Sequence, residues 1–519
     1  MNRKNAIFDS SRLYQQAQNG SQRLLKLTEA DCYNQIHIKK IFGISDVDDV
    51  HLISASATQE KYQRCLMIFK NLTAQMDPHI ALPILLQTVD EYYSSGDLNP
   101  SWLGTSIKSA MAHIWPNAIS DSTLHNNRSI ELLIEIIQLA AICEQLYIIN
   151  MLQQSFGDGP LYFTLHSLDP ENKLDRSVIS FVNSKKLRGK SFRTLKDATS
   201  LITTNKNAYD NVAYIVSGGD PSQIPEFKDT ILSEISLKKA EYFWINLHLR
   251  LHLLQIAHYT RSHVSENPLG ICILSDVVTK LNSTNVKLNQ KALESIFWNT
   301  SWYQSRISFW ATNMIVERPI LRISKRPSLF VCSYFSMLES INWFIESSIM
   351  KYTETGGASV PSSAFEKYIS KPYENNVIND LRARGFLAGE VTENGVWINQ
   401  KNEINIQSMT NISCPGQIDV LAHHPQLDIS FIIDCKVLRS PLHLQSLRNV
   451  ISKISSDDTE GFASKIKNKA SWVESSSYLV KVEPIILLDK EVPGEMTSEV
   501  ITINSEIFQE FLNSKLKEN

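Results

Sequence analysis

The chain has 519 residues, more than one hydrophobic core organises, so two or three domains are expected. With 43% hydrophobic and 20% charged residues, the composition is that of a folded globular protein and excludes wholesale disorder. A formal net charge of -3 excludes a global pull on a polyanion, so any contact with nucleic acid has to come from a local patch.

Seven cysteines, at 32, 65, 143, 272, 332, 414 and 435, are scattered and contain no C-x-x-C pair. That argues against a disulfide framework or a structural zinc and for a reducing, cytoplasmic setting. The opening MNRKNAIFDSSRLYQQ lacks the apolar core of a signal peptide. The most apolar stretch, Ile130 to Met151, is interrupted by Glu131, Glu135 and Glu144, so a buried helix of a soluble protein is expected there and no membrane partner.

Up to about residue 155, apolar residues recur at helical spacing, as in YQRCLMIFKNLTAQM, and a helical region over 1–155 is predicted. Residues 156–352 read as mixed and mainly helical. Within them GDGPLYFTL and NVAYIVSGGDPSQIPEF suggest short strands or an irregular insertion, and RPILRIS with PSLFVCS suggests a small hairpin. TETGGASVPSS, 353–363, has the small, polar composition of a linker. From 364 to 519 the pattern alternates: a helix over SKPYENNVINDLRARGF, then strands at LAGEV, GVWINQ, GQIDVLA and ISFIIDCKVL. A helical stretch from Leu442 to about Val473, strands EPIILLD and EVITI, and a closing helix SEIFQEFLNSKL follow. The fold class is therefore multidomain, a mainly α-helical N-terminal region plus a C-terminal α/β domain.

Chemistry concentrates in two of those strands. In FIIDCK, Asp434 and Lys436 are two apart and leave the same face, while Cys435 points the other way. The residues before them, Ile429 to Ile433, are apolar almost without alternation, as in a strand covered on both faces. Hard divalent cations take carboxylate oxygens, which Asp419 and Asp434 supply, and a lysine beside them can orient or deprotonate a water.

Asp419, a gap of roughly 15 residues (419 to 434) and then Asp-x-Lys resembles the PD-(D/E)XK, restriction endonuclease-like nuclease superfamily, over residues 361 to 519. The proline of that name is absent, while GQIDVL is similar to what Mrr-type restriction enzymes and junction resolvases carry before the first aspartate. The resemblance implies a central mixed sheet flanked by helices, Mg2+ or Mn2+ as cofactor, and catalytic roles for Asp419, Asp434 and Lys436. It also implies a carboxylate from a preceding helix, which YENNVINDLRARGF supplies as Glu374, with Gly385 closing the helix ahead of Phe386. On its own Glu374 also reads as a first-turn residue favoured by the helix dipole, since Pro372 suits a first turn. Gln445, nine residues past Lys436, matches the glutamine that some branches bring to the site, or else is a solvated helix residue.

The expected activity is that of a metal-dependent endonuclease hydrolysing DNA phosphodiester bonds. By resemblance it acts as the effector of a prokaryotic restriction or anti-phage defence system, as a homodimer or larger oligomer and with partner proteins. The alternatives are a catalytically inactive nuclease-fold protein that binds nucleic acid or scaffolds a complex, and an RNase or junction-specific nuclease. Elsewhere, Lys185, Lys186, Arg188, Lys190, Arg193 and Lys196 form a basic run, read as a solvated loop or as a nucleic-acid-binding, phosphate-contacting one. The Gly189-Lys190-Ser191 within it lacks the earlier glycine of a phosphate-binding loop. His248 and His252 have the i, i+4 spacing of helical zinc ligands but no third partner in sequence, and read as core or surface residues. His423 and His424 read as turn residues before Pro425, and Trp298, Trp302, Trp310 and Trp343 as core.

Overall fold

Apolar stripes at i, i+4 spacing build the first part of the chain as helices that can only be stable packed on one another. In a computed structural model, residues 10–30, 41, 51–94, 103–120, 127–156, 161–163, 202, 206–264, 270–282, 287–307, 314–324, 328–349, 362–400, 402–438, 452–454, 461–479, 481–489 and 500–518 are described. Helices run over Ser10–Ala30, Ala55–Thr73, Pro78–Ser94, Leu103–Ile119 and Ile130–Phe156. Cys65, Phe69 and Thr73 form the buried stripe of Ala55–Thr73, which packs on Ile130–Phe156. Among the described residues, no helix is long and apolar enough to cross a membrane.

The chain divides into two units, one of Met1–Ser167, Thr199–Lys228 and Ile235–Val360, the other of Leu168–Ala198, Asp229–Glu234 and Pro361–Asn519. In the first, the region expected to hold short strands around NVAYIV is a helix, Ala208–Val216. Ala208, Val212 and Ile215 are buried at helical spacing against the long Leu237–Val264 helix, and that packing outweighs the turn-rich flank. The expected hairpin is present as Leu321–Ser324 and Leu329–Ser333, and Ile271–Ile273 adds a third antiparallel strand to it. Helix Pro78–Ser94 serves this sheet with a buried carboxylate: Asp90 accepts from Gly270 N at 2.6 Å and from Phe335 N at 3.1 Å.

The second unit holds α1 (Lys371–Ala383), β1 (Leu387–Val391), β2 (Val396–Ile398), β3 (Glu403–Asn405), β4 (Ile418–His424), β5 (Ile429–Lys436), α2 (Phe462–Ser475), β6 (Glu483–Leu488), β7 (Ile501–Asn504) and α3 (Ser505–Glu518). The strands form one mixed sheet in the order β7-β6-β5-β4-β1-β2-β3. β5 pairs parallel with β6 and antiparallel with β4, so it is central. Alternate residues of β5 go to opposite layers. Ile432 joins a core with Ile466, Ala470 and Val473 of α2, and Phe431 and Ile433 join Val377 and Leu381 of α1 and Phe508 and Leu512 of α3. Burial on both faces explains the unbroken apolar run.

Two local differences from the sequence reading matter near the site. α1 has Pro372 in its first turn, as expected, but it continues an earlier helical run: Ser362–Phe365 passes through a π-helical turn, Glu366–Ser370, into α1. The wider turn takes up the ring and missing N–H of Pro372, and Glu374 lies inside a helical run rather than at a free N-terminus. His423 and His424 are the last residues of β4 rather than turn residues. His424 is buried edge-on against Phe386, at 5.0 Å between centroids, and His423 Nδ1 lies 3.1 Å from Ser430 Oγ.

Candidate active site

The strand pair β4/β5 assembles the site by register. Ile433 faces Val420, so one step further along the antiparallel pair sets Asp434 opposite Asp419, with both side chains on the face of Ile432 and Leu421. Asp419 Oδ2 accepts a hydrogen bond from Cys435 N at 2.8 Å. Lys436 Nζ lies 2.7 Å from Asp434 Oδ2 and 5.1 Å from the centre of the Phe462 ring at the start of α2. From α2, Lys469 brings its Nζ to 3.7 Å from Asp434 Oδ1. The carbonyl of Lys436 accepts from Asp489 N at 3.1 Å, and Asp489 Oδ1 accepts from Leu438 N at 2.7 Å, which anchors the chain where it leaves β5.

Both nearby lysines sit on Asp434, and at Asp419 burial outweighs the positive charge. Burial and then the charge of Asp434 push the Asp419 carboxyl up to about 7, with Glu374 adding to the rise and Lys436 and the Cys435 N–H opposing it. Burial pulls the Lys436 ammonium down, but Asp434 and Asp419 outweigh it and the net shift is upward, so the lysine keeps its proton. Cys435, on the other face of β5, is a buried thiol held well above its usual range, chiefly by burial.

Glu374 is also buried, and burial raises its pKa while Lys371 one turn earlier lowers it. Lys371 Nζ sits 2.8 Å from Glu374 Oε2 and 2.8 Å from Glu390 Oε2 on β1, tying α1 to the sheet. Glu374 is thus within electrostatic reach of Asp419, but one of its oxygens is held by a lysine. Among the described residues, no three His, Cys, Asp or Glu side chains are grouped closely enough to hold a metal ion. The structure brings Asp419, Asp434 and Lys436 together, and Glu374 acts on the charge of Asp419 while paired with Lys371.

Gln445 and the basic run Lys185, Lys186, Arg188, Lys190, Arg193 and Lys196 lie outside the described residues, as does Trp310. Trp298, Trp302 and Trp343 are buried. Sequence reasoning passed over Lys371, Glu390 and Lys469. The i, i+3 spacing of Lys371 and Glu374 was a usable sign of their pairing. Nothing in the sequence distinguishes Lys469 from Lys465 or Lys467 until α2 is packed on the sheet. Compared with protein-family models, curated proteins and solved structures, the chain shows no match.

Proposed function

We propose that the C-terminal unit is a metal-dependent endonuclease that hydrolyses DNA phosphodiester bonds at Asp419, Asp434 and Lys436. The observation that carries this reading is the opposition of the buried Asp434 and the half-buried Asp419 across β5 and β4, with Asp419 pushed up to about 7, beside two lysines. Facing carboxylates, one of them held well above its usual range, are a donor set that a hard divalent cation relieves, and perturbed acids of this kind concentrate at functional sites.

The residues present fit Mg2+ or Mn2+. Such an ion is commonly held by only one or two carboxylates and keeps several waters, so Asp419 and Asp434 would hold it, and Glu374 would add negative charge nearby. When bound, the ion supplies Lewis-acid stabilisation of charge on the phosphate and lowers the pKa of water. Lys436, kept protonated by Asp434, donates to a phosphate oxygen or orients the attacking water rather than taking its proton. Lys469, on the other oxygen of Asp434, adds positive charge where the phosphate would lie. The Lys436 ammonium lies over the Phe462 ring, a cation–π contact that favours its charged form.

Cleavage of plasmid, linear duplex, single-stranded DNA and RNA, each with Mg2+, Mn2+ or EDTA, tests the reading. Wild type is expected to cut DNA with either ion and not in EDTA. Asp434→Ala and Lys436→Ala are expected to lose about 100-fold or more, with unchanged circular dichroism. Equal residual cleavage by wild type and both variants under every condition sinks the enzyme, and preference for RNA moves the substrate. A place in restriction or anti-phage defence, with an oligomer or partner proteins, rests on the resemblance of the motif and is part of the proposal.

A further inference from the structure

A second cluster of titratable side chains lies in the N-terminal unit. His248 and His252 are one turn apart on the Leu237–Val264 helix, so their imidazoles leave the same face. Tyr209, from the packed helix Ala208–Val216, lays its ring against both. The ring centroids are 4.9 Å apart at 23° for His248 and 5.8 Å apart at 29° for His252. These three rings, with Ile245, Leu249, Leu281 and Leu293, line a cavity of about 230 Å3.

The nitrogen Nε2 of His248 is buried and has no hydrogen-bond partner among the described residues. Buried polar atoms in folded proteins nearly always have one, so an orphaned nitrogen at a cavity asks for a ligand. Burial and the neighbouring His252 lower the pKa of His248, which keeps the ring neutral and leaves a lone pair on one nitrogen. The other lining side chains are aliphatic or phenolic, so the two imidazoles are the nitrogen donors of this cavity among the described residues. Two imidazoles at i, i+4 on one helix are the recognition unit for a divalent transition-metal ion.

We propose that His248 and His252 form a two-imidazole site for a divalent transition-metal ion such as Zn2+ or Cu2+. Spacing alone left these residues as core or surface histidines, and the orphaned nitrogen and the cavity are what change their reading. No third His, Cys, Asp or Glu joins the pair among the described residues. The remaining positions are taken by water or a small anion, and the cavity has room for several molecules the size of water, each about 30 Å3. The site is chemically separate from Asp419 and Asp434, whose oxygens suit hard ions such as Mg2+.

The full-length chain with one equivalent of Cu2+, studied by electron paramagnetic resonance, tests the proposal. The expected spectrum shows coupling to two imidazole nitrogens in wild type and in Asp434→Ala. In His248→Gln and His252→Gln the coupling falls to one nitrogen and affinity drops at least about tenfold, as loss of a ligand-site contact does. A second measurement needs no variant: Zn2+, but not Mg2+, protects His248 and His252 from acylation by diethylpyrocarbonate, read by mass spectrometry. Spectra without nitrogen coupling, or unchanged in both variants, overturn the site, and so does equal acylation with and without Zn2+. None of these readouts depends on nuclease activity.

Discussion

Asp419 is a proposed metal ligand whose surroundings disfavour its charged form. Its unfolded-state pKa is about 3.9, and burial beside Asp434 raises it to about 7 in the folded chain. A carboxyl raised on folding contributes stability that is whole below about 3.9 and is lost as pH rises through about 7. In EDTA, Asp419→Asn is therefore expected to raise the melting temperature at pH 8 relative to wild type, and to have less effect at pH 5. The gain is roughly 2–4 °C for each kcal/mol relieved in a domain of this size. A variant destabilised equally at both pH values would contradict the cause given. The same protonation competes with metal, since a ligand carboxyl has to be ionised. The gain in melting temperature on adding Mg2+ or Mn2+ is expected to be larger at pH 8 than at pH 5.5, and to vanish in Asp419→Asn with Asp434→Asn. Equal gains at the two pH values would mean that the ion binds elsewhere.

Among the elements, α1 and β1 carry the tightest backbone requirements. α1 ends in a Schellman turn, with Phe386 N on Leu381 O at 3.2 Å and Gly385 N on Arg382 O at 3.1 Å. Gly385 has φ +90°, and a Cβ there would approach His424 Nε2 at 3.2 Å. Gly385→Ala is expected to cost about 1–2 kcal/mol in urea unfolding, the left-handed penalty of an L-residue. Gly389 is a different case. It sits beside the irregular step between β1 and β4, and a Cβ would fall 1.7 Å from the carbonyl oxygen of Ile398 on β2. That oxygen is backbone and cannot rotate away, so Gly389→Ala is expected to cost more than Gly385→Ala and to disturb the pairing of β1 with β2. An order reversed in urea titration would show that β2 yields more easily than the pairing implies.

For the molecule as a whole, both hydrophobic layers of the C-terminal sheet are made of residues between Tyr373 and Leu516. A domain with its own core can fold alone. The fragment 361–519 is therefore expected to unfold cooperatively on heating and to keep its metal-dependent stabilisation. The exposed Lys367–Glu234 ion pair and the Tyr368–Glu234 hydrogen bond, which join this fragment to the 229–234 segment of the same unit, contribute little by comparison. A fragment with no cooperative transition would show that residues 168–198 or 229–234 are structurally required.

Much of this was legible in the residues themselves because it depends on local periodicity. Alternation places Asp434 and Lys436 on one face of a strand whatever that strand pairs with, and an unbroken apolar run before them announces cover on both sides. Gly385 before Phe386 marks the end of α1 for an equally local reason, the need for positive φ. Other features depend on partners distant in sequence. The opposition of Asp419 to Asp434 is set by the β4/β5 register, and the approach of Lys469 by the seating of α2. Lys371 draws Glu374 toward Glu390 only because α1 lies along β1. Even the helix at Ala208–Val216, which reads as strand or insertion in isolation, is decided by the long helix it packs on. The sequence alone determined which groups could do chemistry and on which face each would stand. The tertiary structure decided which of them meet, because register and helix docking are settled by burial over the whole unit rather than by neighbours in the chain.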